Sequence, residues 1–299
     1  MRLAISFILL MSSLSAIAQT SGTKNSTTTG ATISTKTVDQ NLPWLSLSRF
    51  GANYFTFWTG PNMEDGQQAN NELGRPTDDG LSFYHHLSFT YAISKNLNID
   101  LQNRLQHIHT QQEQWRYQGS RIGVSGTLAR GEKWSLKGAA NTDIPELNGR
   151  DARAQTVIFN PGLFAGLNYQ FSPRWSFYSI VSPRMYFYRD DDAVTDEWLV
   201  SGRSPGQKRK LEFRASPTIN YAFNDKVGMR GGLDLNFQQF VRNDWNYFRR
   251  WPTAMTVGPT FSIHRSLNLY TYVQSFPFDG EKIKNETISV GMWISGVVF

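Results

Sequence analysis

A period-two alternation, repeated hairpin after hairpin, limits what this chain can fold into more than any other feature of its sequence. Between residues 81 and 108, Leu81, Phe83, His85, Leu87, Phe89 and Tyr91 share one parity, and Ser82, Tyr84, His86, Ser88 and Thr90 the other. After the turn Ser94-Lys95-Asn96, the residues Leu97, Ile99, Leu101 and Leu105 alternate with Asn98, Asp100, Gln102, Arg104 and Gln106. A helix would smear those apolar residues around its axis, whereas a strand gathers them on one face.

The unit recurs. Ile122, Val124 and Leu128 alternate with polar residues before a turn at 130–133, and Trp134 and Leu136 follow it. Leu163 to Phe171 turns at Ser172-Pro173-Arg174 into Trp175, Phe177 and Val181. Leu211 to Phe223 turns at 224–226 into Val227 to Phe237, and Met255 to Ile263 turns at 264–266 into Leu267 to Val273. With a first strand near Leu45–Trp58 and a closing strand, the count is twelve. The connections near 95, 131, 173, 225 and 265 are short. Those at 59–80, 109–116, 143–154, 189–210, 242–252 and 277–283 are longer and polar. Short turns on one side, long loops on the other and an even strand number predict an all-β fold, a transmembrane antiparallel up-and-down β-barrel of about twelve strands. Aromatic content of 14%, charged content of 18% and a mean hydropathy of −0.43 suit strands with one lipid face and one polar face. A soluble β-sandwich is the alternative, but it would place aromatics mid-strand. Here Tyr91, Trp134, Tyr169, Phe171, Trp175, Tyr221 and Phe223 fall at the short-turn ends, where an interfacial girdle belongs. Pro161, Pro183, Pro217 and Pro259 interrupt strand segments and are expected at bulges or strand ends.

Arg2, the apolar run Leu3 to Leu14 and Ala16-Ile17-Ala18 form a secretory signal peptide, residues 1–18. The Ser/Thr/Gly-rich segment 19–43 cannot bury a core and is expected to be a disordered periplasmic tail. The barrel then occupies 44–299. Cysteine is absent, so no disulfide framework contributes. The net charge of +6 is scattered rather than clustered, which argues against nucleic-acid binding and for anionic lipid headgroups or solutes.

The chain ends on Ser289-Val-Gly-Met-Trp-Ile-Ser-Gly-Val-Val-Phe299. A strand of this length stopping on an aromatic residue resembles the closing strand of bacterial outer-membrane β-barrels. The resemblance implies a Gram-negative outer membrane, with Phe299 as the contact for the barrel-assembly machinery. Counted back from Phe299, Val297, Ser295, Trp293 and Gly291 would face lipid. The other parity (Val298, Ile294, Met292, Val290, Ile288) is more apolar, so either a bulge near Gly296 switches the faces or the lumen is partly apolar there.

A twelve-stranded lumen lies between the filled eight-stranded barrel and the open channel of sixteen to eighteen strands. Its expected lining is Asp100, Arg104, Arg121, Lys137, Arg184, Tyr186, Glu212, Arg214, Arg230 and Asp234, with Tyr84, Tyr178, Tyr188, Tyr270 and Tyr272. These charges either brace the barrel as internal salt bridges or form a basic track for a small anion, to which guanidinium groups offer paired donors. Phenol faces beside arginines resemble narrow monomeric channels for acidic oligosaccharides. The expectation is a channel or porin for small hydrophilic solutes, anions included, with no cofactor and no metal. A non-conducting surface barrel is one alternative. The other is an enzyme: His86-Leu87-Ser88 resembles the nucleophile site of outer-membrane phospholipase A, making His86 and Ser88 catalytic candidates. In that family the pair faces lipid beside an orienting Asn, whereas here His86 and Ser88 fall on the lumen parity and Asn103 on the lipid parity. His85, His107 and His109 take the outward parity. The acidic run Asp190-Asp191-Asp192 reads as a solvated loop. Lys208-Arg209-Lys210 and the stretch 242–251 are expected at the outer rim, suited to lipopolysaccharide.

Overall fold

The computed structural model describes residues 49–62, 69–70, 76–77, 81–109, 114–148, 156–189, 208–241, 249–250, 253–264, 266–278 and 288–297. The expected signal peptide and tail, Phe299, the run Asp190–Asp192 and most of 242–251 lie outside them.

Twelve long strands form the wall. They are β1 (Phe50–Asn62), β2 (Leu81–Ser94), β3 (Leu97–His109), β4 (Gln114–Arg130), β5 (Trp134–Asn148) and β6 (Gly162–Gln170). The second half is β7 (Trp175–Met185), β8 (Arg209–Ala222), β9 (Val227–Phe240), β10 (Ala254–His264), β11 (Leu267–Ser275) and β12 (Ser289–Val297). Each pairs antiparallel with its neighbour in sequence, and β1 pairs with β12 from Asn53↔Val297 to Asn62↔Ser289. The sheet therefore closes on itself and leaves no exposed edge.

The outward parity is built as lipid would require. Leu87, Phe89, Ile99, Leu101, Leu105, Ile122, Val124, Leu163, Leu167, Ile219, Val257 and Val273 are all exposed and girdle the middle. At the short-turn end, aromatic pairs flank this belt: Phe50 with Tyr91, Tyr169 with Phe171, and Trp175 with Tyr221, at centroid distances of 5.0, 5.0 and 4.7 Å. At the loop end a second band appears that sequence reading did not anticipate. There Trp115 stacks on His107 at 4.4 Å, Trp58 on Phe83 at 6.1 Å, and Phe159 meets Phe187 at 5.9 Å. Two such bands bound a membrane-spanning barrel because amphipathic rings settle at the headgroups.

Three expectations need correction. The strands run further into the loop side than alternation suggested: β1 reaches Asn62, β4 starts at Gln114 and β5 continues to Asn148. Beyond the bilayer neither face needs apolar residues, so the pattern fades while the hydrogen-bond ladder continues. Pro183, Pro217 and Pro259 mark no bulges. On one flank of each, two pairings lapse, as between Val257↔Val273 and Thr260↔Tyr270, and the register resumes unchanged. A missing N–H removes a rung without inserting a residue. Pro161 does precede a strand start, as expected. The bulges lie elsewhere, among them one at Gly119, whose φ of 107° favours glycine, where Gln118 is the extra residue opposite Arg104 and Leu105.

The third correction concerns β12. Phe55↔Ser295 and Phe57↔Trp293 are opposed, so Ser295, Trp293 and Gly291 face the lumen. Ile294 and Met292, opposite Thr56 and Trp58, face outward. No bulge intervenes near Gly296. The more apolar parity of β12 therefore meets lipid, and Trp293 adds a large ring to the lumen between Gly291 and Ser295.

Candidate functional site

Asp100, Arg104, Arg121, Lys137, Arg184, Glu212, Arg214, Arg230 and Asp234 fall on the inward register of their strands, and six of the expected lining residues gather into two knots. The first centres on Asp143 of β5. Arg104 Nη2 of β3 lies 2.9 Å and Arg121 Nε of β4 lies 2.8 Å from its Oδ1. Asn160 holds the other side: its Nδ2 donates to Asp143 Oδ2 at 2.7 Å, and its Oδ1 accepts the Asp143 N–H at 2.8 Å. Arg184 of β7 joins by donating to the Asn160 carbonyl (2.7 Å) and to Asn141 Oδ1 (2.5 Å). It lies across Gly162, where an added Cβ would sit 2.6 Å from Nη2. The second knot centres on Glu212 of β8. Tyr186 Oη donates to it at 2.7 Å and Arg214 Nε at 2.6 Å, with Arg209 Nη1 at 3.7 Å. Each carboxylate is shared by two cations, so the charges brace the wall and still leave the lumen positive. Sequence reading misses both Asp143 and Asn160: Asp143 falls in the expected loop 143–154, and Asn160 in the unassigned stretch between that loop and the strand from Leu163. Continuing the parity of Ser135, Lys137 and Asn141 by one more step finds Asp143.

The remaining predicted residues are simpler. Asp100 accepts from Thr90 Oγ1 at 3.0 Å, Asp234 accepts from Ser216 Oγ at 2.9 Å, and Lys137 stands opposite Gly166. Asp234 and Arg214 lie near the middle of their strands and face inward. Yet Asp234 is exposed, and the Arg214 side chain is 42% exposed. Solvent therefore reaches the mid-height of the lumen.

The opposite wall is aromatic. Phe57 of β1 stacks on Tyr84 of β2 at 4.5 Å and contacts Phe55 at 5.9 Å, and Phe55 meets Trp293 at 5.9 Å. Trp293 packs edge-on against Tyr270 at 5.4 Å and Tyr272 at 5.9 Å. Tyr272 lies over Gly291, where a Cβ would fall 2.3 Å from Cζ. Arg230 of β9 sits against this wall, its Cζ 5.0 Å from the Tyr270 ring and 4.7 Å from Trp293. Phe55, Phe57 and Trp293 went unassigned or were placed on the wrong face.

The catalytic candidates do not assemble. His86 points into the lumen against Phe55 and Phe57, and Ser88 accepts from Gln102 Nε2 at 3.3 Å. Asn103 is on the outer face, bonded to Ser120. His85 is outward, as expected, held by Tyr54 Oη at 2.6 Å. Lys208 is not offered to an outer surface: it is fully buried, its Nζ 4.9 Å from the Tyr188 ring.

The geometry defines a closed twelve-stranded barrel whose lumen is charged on one side and aromatic on the other. No protein-family model matches the chain, and no curated protein matches it in sequence. An outer membrane channel from Pseudomonas putida superposes with a TM-score of 0.52 at 10% identity, covering 83% of this chain and 95% of that one. The NanC porin (TM-score 0.46, 13% identity) and the KdgM porin (0.42, 8%) each align over 83% of this chain and 98% of theirs. The first superposition shows the fold alone, a closed antiparallel β-barrel.

Proposed function

We propose that this chain is an outer-membrane channel that passes small hydrophilic solutes, anions in preference, through a narrow charged lumen. The observation carrying this reading is the solvent exposure of inward-facing Arg214 and Asp234 at mid-height. A barrel filled by its own side chains would bury them. The shared carboxylates Asp143 and Glu212 leave inward arginines in excess, which favours anions. The same reading takes residues 1–18 as the export signal, 19–43 as a periplasmic tail and Phe299 as the contact for the assembly machinery. The outward aromatic bands meet lipid and lipopolysaccharide. A non-conducting barrel is favoured only by the braced Arg104–Asp143–Arg121 knot. Reconstitution in planar bilayers under a potassium chloride gradient decides between them. The expected result is discrete conductance with a reversal potential on the chloride side; a silent or cation-selective barrel overturns the proposal.

A further inference from the structure

The aromatic wall is continuous from the loop side towards the short-turn side. Tyr84, Phe57, Phe55, Trp293 and Tyr270 touch in sequence at 4.5, 5.9, 5.9 and 5.4 Å, and Arg230 stands at the end of the series. Arg230 is only 7% exposed. The two rings stabilise its charge through their faces, but they accept none of its N–H protons in the guanidinium plane. Among the described residues no carboxylate pairs with it; the described ion pairs belong to Asp143 and Glu212. A desolvated guanidinium without an anion is costly, and its planar fork suits a carboxylate.

We infer that this track is a binding site for an aromatic monocarboxylate, its ring passing along the stacked faces and its carboxylate meeting Arg230. This deepens the channel reading by naming the solute class. The ring is apolar because Phe55 and Phe57 offer faces and no hydrogen bonds. The anion is a monocarboxylate because one cation, Arg230, stands at the end of the track with no carboxylate on it among the described residues. Offset or edge-on aromatic contacts add to the area buried at each step, so the ring holds the solute where charge alone would not.

Calorimetric titration of the detergent-solubilised full chain reads the site whether or not current flows. Benzoate is expected to bind about tenfold or more tighter than acetate, which lacks the ring, and than benzyl alcohol, which lacks the charge, one charge-assisted hydrogen-bonded contact being worth about that factor. Arg230→Gln should abolish the preference over benzyl alcohol, and Arg230→Lys should retain part of it. Trp293→Leu, or Phe55→Leu should the first variant fail to insert, should erase the preference over acetate. Equal binding of acetate and benzoate, undiminished benzoate binding by Arg230→Gln, or tighter binding of glucuronate than of benzoate overturns the inference. A barrel that conducts chloride but ignores benzoate removes this site and leaves the channel. One that binds benzoate and carries no current removes the channel and leaves the site.

Discussion

Replacing Asp143 by asparagine keeps the side chain's shape and removes the charge that two arginines share. The Arg104 and Arg121 nitrogens stand 2.9 and 2.8 Å from one carboxylate oxygen, and all three side chains are largely shielded from solvent. Breaking a buried pair costs about 3–5 kcal/mol, because the partner is left charged and uncompensated. The arginines here are 18% and 24% exposed and water reaches the lumen, so about 2–3 kcal/mol is the appropriate scale. That loss should appear as an earlier midpoint in urea unfolding followed by tryptophan fluorescence in lipid vesicles. The second consequence is electrical. One uncompensated positive charge about 8 Å from a permeating ion, at the screening of 0.1 M salt, shifts anion and cation in opposite directions and widens the energy difference between them by roughly 0.5–1 kcal/mol. The anion-to-cation permeability ratio should therefore rise by about two- to fivefold in dilute potassium chloride, and the rise should shrink in 1 M salt, where the screening length is about 3 Å. A variant that unfolds with the parent and keeps its reversal potential would refute the idea that Asp143 compensates these arginines inside a conducting lumen.

Two further outcomes test the wall itself. Leu101→Arg, on the outward belt, should cost about 2–4 kcal/mol of folding stability in vesicles, whereas Gln102→Arg, one residue along and facing in, should cost far less; equal losses would contradict the assigned parity. Gly162→Ala forces its Cβ against Arg184 Nη2 and should displace the guanidinium from Asn160 and Asn141, with about 1–3 kcal/mol lost and an altered single-channel conductance, both read against the parent in the same assays.

The fold was legible in the sequence wherever one face met lipid and the other met water. From Leu81 to Ile108 those two solvents impose opposite residue types on alternate positions, and the structure pairs the strands as the parity demands. Legibility failed where that contrast fails. Beyond the bilayer both faces are wet, so Asn62, Gln114 and Asn148 carried no strand signal, and Asp143 was assigned to a loop. At β12 the apolar parity, Met292 and Ile294, does face outward; it is the count back from Phe299, not the alternation, that puts Trp293 on the wrong side. The inward side of the individual charged residues was legible because parity alone assigns it. Their grouping was not found, because it depends on which strands are neighbours and how far each is staggered. Arg184 reaches Asn141 across 43 positions of chain, a contact no local pattern encodes.

The seam of the cylinder lies between β1 and β12, where Phe57 stands directly opposite Trp293 and Phe55 meets the same ring on the diagonal. The first and last strands thus supply adjoining parts of one inner surface. A half-inserted sheet would carry the arginine knot, since Arg104, Arg121 and Asp143 sit on three successive strands, but it could not carry the aromatic wall. That wall comes into being only when the chain's ends are zipped together, so anything that unzips the seam, whether an assembly intermediate or a lateral opening towards lipid, cuts it in two while leaving the charged side standing.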